Sequence, residues 1–130
     1  MKGIYKAQRV DGKGWVEGYY VYDSLVHQII TSDFSCFNVI PETVCTYTGR
    51  QINGVNLFQG DKIKKLHFIS ANGKKHYLEH IVLWNNEYSC WMASVDGTTD
   101  FKRGNIQLYL YLRDMIEPEI IGNVHDKNEE

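Results

Sequence analysis

The chain is poor in the features that usually identify a small protein. It has two prolines and three cysteines in 130 residues, and 14 basic against 16 acidic residues leave a net charge of −2. Cys36, Cys45 and Cys90 are odd in number and include no C-x-x-C pair, so a disulfide framework and a four-cysteine zinc site are excluded. Each lies beside apolar or aromatic residues and reads as a small buried hydrophobe. The segment from Val124 to Glu130 carries Asp126, Lys127, Glu129 and Glu130, which accounts for the whole net charge. The remaining body is neutral, a weak electrostatic footprint for nucleic acid. No apolar run reaches the length of a membrane span, and Met-Lys-Gly-Ile-Tyr-Lys has no apolar signal core. These absences lead to the expectation of a soluble, intracellular protein, with no membrane partner.

Glycine and aromatics are plentiful. Eleven Gly, nine Tyr, five Phe and three Trp favour strands joined by tight turns over long helices. Ile4–Val10 and Trp15–Tyr22 flank Asp11-Gly12-Lys13-Gly14, a hairpin signal. Gly12, Gly14 and Gly18 lack the strand–turn–helix context of a nucleotide fingerprint and read as turn glycines. Leu25–Ile30, Phe34–Ile40 and Val44–Thr48 read as further strands. Gly49 to Gly60 reads as a loop-rich boundary. Beyond it come Lys62–Ile69, the turn Ala71-Asn72-Gly73-Lys74, His76–Trp84 and Tyr88–Val95. Ile106, Leu108, Leu110 and Leu112 alternate with Gln107, Tyr109 and Tyr111, which predicts a half-buried strand. Glu119–Val124 reads as the last strand, and 125–130 as a frayed tail.

The expected fold is mainly β with few or no long helices, and residues 1–130 form one domain. An N-terminal β-hairpin module covers 1–48, and a small SH3-like barrel covers 49–124. The Gly60-Asp61-Lys62-Ile63 start followed by a hairpin and a strand ending at Trp84 carries the barrel reading.

The sharpest chemical pattern is His76-Tyr77-Leu78-Glu79-His80, a literal match to the H-x-x-E-H zinc motif. That motif needs a helix to bring both imidazoles to one metal. Here the context is β, and a strand separates the two histidines by roughly 13 Å. No elbow serine or phosphate loop is present. No catalytic residue, cofactor or metal is therefore assigned. Aromatics supply a candidate binding face of Trp84, Tyr88, Trp91, Tyr109 and Tyr111, suited to a peptide or another subunit. Lys62, Lys64, Lys65, Lys74 and Lys75 supply a candidate nucleic-acid patch, which the neutral body disfavours.

Four segments resemble the YopX family of phage and prophage proteins. They are Arg9-Val10-Asp11-Gly12 with Trp15 to Tyr19, Val39-Ile40-Pro41-Glu42-Thr43-Val44 running to Gly49, Asn53-Gly54 with Phe58 to Ile63, and Glu119 to Val124. Gln59 stands where the family has an acidic residue, and the ending departs from its pattern. The resemblance implies a β-rich protein encoded by a phage or mobile element, with a barrel-like C-terminal part and no catalytic residue to carry over. The favoured expectation is a non-catalytic module that binds a protein partner or itself. The alternatives are a nucleic-acid accessory protein and, last, a metal-dependent hydrolase using His76, Glu79 and His80.

Overall fold

The computed structural model describes residues 4–101 and 104–126. Strands hold 54% of the residues and helices 7%, so the chain is mainly β. It divides into two compact units, residues 1–49 and 50–130.

In the first unit, β1 (Tyr5–Gln8), β2 (Trp15–Tyr22), β3 (His27–Ile30), β4 (Cys36–Asn38) and the start of β5 (Cys45–Ile52) form an antiparallel sheet in the order β4-β3-β2-β1-β5. Asp11 shapes the first turn by accepting from the Lys13 amide at 3.0 Å and from Arg9 Nη2 at 2.6 Å. Ala7, Ile29 and Val39 form the core, with Tyr5, Val16, Tyr20 and Val44 packed on it. Gly18 on β2 is there because nothing larger fits: a Cβ would lie 2.2 Å from the Ile30 carbonyl oxygen. Gly18→Ala is expected to push β2 and β3 apart and cost about 1–3 kcal/mol, read as a lower urea midpoint at unchanged slope.

The second unit contains the β5–β6 hairpin, with β6 at Val55–Phe58, and an open antiparallel sheet. Its order is β10-β9-β8-β7-β11, from β7 (Asp61–Ile69), β8 (Lys75–Asn85), β9 (Cys90–Ser94), β10 (Ile106–Gln107) and β11 (Glu119–Asn123). This sheet does not close. Ile52, Leu57, Ile63, Val82, Ala93, Leu108 and Tyr111 form its core.

Besides the cysteines, of which only Cys45 is buried while Cys36 is exposed and Cys90 half-buried, two expectations need correction. The stretch from Gly49 to Gly60 is mostly strand. Asn53 (φ 53°) and Gly54 (φ 80°) make the two-residue turn whose twist matches the flanking strands. Secondly, the strand expected over Ile106–Leu112 stops at Gln107, and helix α1 runs from Leu108 to Arg113. Leu108, Tyr111 and Leu112 meet the core at helical spacing, whereas Tyr109 and Leu110 are exposed. The period-two pattern of leucines was a coincidence of composition. The expected tail lies mainly outside the described residues; its first members, His125 and Asp126, fold back on Asn123.

Candidate binding hollow

At the far end of β8, Trp84, Asn85, Asn86, Glu87, Tyr88, Thr99, Asp100 and Phe101 line a hollow of about 420 Å³. Its wall is built by three buried polar side chains that each hold one carbonyl of a consecutive series. Ser94 Oγ donates to Thr98 O at 2.6 Å, Asn85 Nδ2 to Thr99 O at 2.8 Å, and Asn105 Nδ2 to Asp100 O at 3.0 Å. Asn85 Oδ1 also accepts from the Tyr88 amide at 2.8 Å, so one side chain fixes both sides of the hollow. Buried side-chain hydrogen bonds of this kind rigidify a loop, because breaking one leaves an unsolvated polar atom.

Aromatic rings form the rim. Trp84 meets Trp91 edge to face at 5.0 Å, and Tyr88 meets Phe101 the same way at 5.1 Å. Tyr88 is 61% exposed, Phe101 47% and Trp84 38%, so these rings leave much of their surface open to a ligand. Glu87 and Asp100 place two carboxylates among the lining residues.

The expected aromatic face is thus only partly assembled. Trp84 and Tyr88 line the hollow. Trp91 is half-buried and packs on the core. Tyr109 is exposed on α1, not on a strand, with the Arg50 guanidinium 5.9 Å from its ring. Tyr111 is fully buried and belongs to the core, so it is no part of a binding face. Phe101, Ser94 and Asn105 were missed: nothing in the sequence links positions 85, 94, 101 and 105 until the sheet brings them together. A second hollow, in the first unit, was also missed. It is lined chiefly by Tyr19, Ile30 and Phe34, the last 86% exposed at φ 68°.

The five lysines do not form one patch. Lys62 and Lys64 share a face of β7, and Lys65 points to the other. Lys64 Nζ lies 3.6 Å from Glu119 and 4.4 Å from the Tyr77 ring centre. Lys65 stands over Tyr111 at 4.6 Å, and Lys75 pairs with Glu117 at 2.9 Å. The Glu117 hydrogen bond and charge raise the Lys75 pKa. Lys74 is exposed at the β7–β8 turn.

The H-x-x-E-H residues lie on strand β8 and turn to different partners. His76 stacks on Phe68 at 4.3 Å, and Glu79 sits opposite Lys64. His80 is buried; its Nε2 lies 3.1 Å from Gly104 O, and its ring meets Tyr111 edge to face at 4.8 Å. Burial lowers the His80 pKa and pushes the Tyr111 hydroxyl up to about 12. Among the described residues, no group of three or more His, Cys, Asp or Glu is placed to hold a metal, and no helix is long and apolar enough to cross a membrane. No family model, curated protein or solved structure matches the chain.

Proposed function

We propose that this chain is a YopX-like protein of a phage or prophage, working in the bacterial cytoplasm as a non-catalytic module that binds a protein. We read its second unit as a variant of the SH3-like arrangement. One observation carries the binding reading: Trp84, Tyr88 and Phe101 stand exposed around a hollow whose wall is held by hydrogen bonds from buried side chains. Rigid aromatic anchors beside a recess dominate the energetics of protein interfaces. Recognition by side chains is favoured over strand addition. The edge strands β4, β6 and β10 have three, four and two residues, and β11 carries a register shift near Gly122. The nucleic-acid reading is weaker, since Lys64, Lys65 and Lys75 are already engaged by Glu119, Tyr111 and Glu117.

The test is affinity capture from the bacterial host, with and without nuclease, using the wild type and Tyr88→Ala. A specific protein that survives nuclease and is lost at least about ten-fold with Tyr88→Ala is the expected result. Recovery of nucleic acid, or of proteins released by nuclease, would move the function to the lysines.

A further inference from the structure

We propose that the occupant of the hollow is Lys74 of a second copy of this chain, so that copies join head to tail. The inference rests on the reading of the hollow as a protein-binding site.

Strand β8 places the two halves of this contact at its opposite ends. At one end the Ser70–Lys74 turn, closed by Ser70 N donating to Lys74 O at 2.8 Å, presents the Lys74 side chain to solvent. At the other end lie Trp84 and Asn85, with the hollow beside them. Ten residue steps of strand separate Lys75 from Asn85, roughly 33 Å, several times the reach of a lysine side chain. The two surfaces are complementary and cannot meet within one molecule. Lys74 makes no ion pair among the described residues, and neither does Glu87 or Asp100.

The chemistry of the contact is one the fold already uses. Lys6 stands 4.7 Å from Trp15, Lys64 4.4 Å from Tyr77, and Lys65 4.6 Å from Tyr111. An ammonium over an aromatic face gains from the ring quadrupole, and more when carboxylates stand nearby. Lys74 entering between Tyr88, Trp84 and Phe101 would meet both. The arm behind it adds apolar contact, for no residue from Leu66 to Glu79 is buried, and Phe68, Ile69 and Tyr77 are exposed there. A bare two-stranded arm is marginal in water and gains from being covered. Because turn and hollow are different surfaces, the contact is heterologous and generates a ring or an open chain of copies.

Sedimentation velocity tests this. The wild-type sedimentation coefficient is expected to rise with concentration between ~10 µM and ~1 mM. Added salt is expected to reverse the rise, because exposed charges are screened. Lys74→Ala and Tyr88→Ala, both at surface positions, are each expected to stay monomeric. Mixed in equal amounts they are expected to form a heterodimer and nothing larger, since one supplies the hollow and the other the turn. A wild type that is monomeric throughout overturns the proposal. So does either variant assembling like the wild type, or a mixture that fails to pair. If the wild type stays monomeric while Tyr88-dependent capture of another protein persists, the occupant is wrong and the binding function stands. Loss of both removes both.

Discussion

Asp61→Ala is expected to cost the second unit about 3 kcal/mol, a large part of what holds a domain of this size together. Asp61 is fully buried at the start of β7. Its Oδ2 accepts from the Phe58 amide at 2.8 Å, and its Oδ1 accepts from Asn123 Nδ2 at 2.9 Å. Asn123 Nδ2 also reaches Gln59 O, and the Val124 amide donates to Gly60 O at 2.9 Å. One carboxylate therefore ties the β6–β7 corner to the end of β11. Alanine would remove the acceptor that the Phe58 amide and the Asn123 side chain share. Urea unfolding measures the loss. Asp61→Asn keeps the volume but turns an amide NH2 toward one of the same donors, so an intermediate loss is expected. A midpoint for both variants equal to the wild type would show that the corner is held by its apolar packing instead. Residues around Gly60-Asp61 and Gly122-Asn123, 62 positions apart, thus meet in one network.

The second unit is also expected to lose stability in mild acid through His80. The cause is mainly burial, with the Lys65 charge adding to it, while the Gly104 hydrogen bond opposes it. Among the described residues, the Nδ1 atom of His80 and the Tyr111 hydroxyl are buried without a partner. A proton on Nδ1 would add a buried donor that nothing accepts. The folded pKa is therefore depressed below the unfolded value of about 6.5. The stability contribution is fully present above that pH and is lost as the pH falls through and below it, where the unfolded chain takes up the proton first. One proton gives a slope of at most ~1.4 kcal/mol per pH unit. His80→Gln keeps a side-chain NH for Gly104 and cannot titrate, so its urea midpoint is expected to follow pH less steeply below pH ~6.5. Equal slopes for the two proteins would assign the acid sensitivity elsewhere.

The strands were legible because their signals are local. Asp11-Gly12, Asn53-Gly54 and Asn72-Gly73 mark turns whose glycines take positive φ, and the alternation between them is short-range. The helix at Leu108 was not legible. Alternating leucines satisfy a strand, and only the packing of Leu108, Tyr111 and Leu112 on the core decides for the helix. The openness of the second sheet was not legible either: the turn and strand signals suggested a barrel, but closure depends on whether the outer strands β10 and β11 pair, which they do not. The candidate hollow was half legible. Exposed aromatics at 84 and 88 stand out, but the asparagines and serine that shape the wall look like ordinary polar residues until they are found buried.

The Trp84–Trp91 pair has an optical consequence. Two indoles edge to face at 5.0 Å couple electronically, and coupled indoles split their far-ultraviolet transition into a paired positive and negative circular dichroism band. Trp15, the other tryptophan, belongs to the first unit and has the Lys6 ammonium over its ring. The second unit therefore carries a chromophore pair of its own, with one member on the wall of the hollow. Both the integrity of that unit and the filling of its recess can be followed in the unlabelled chain.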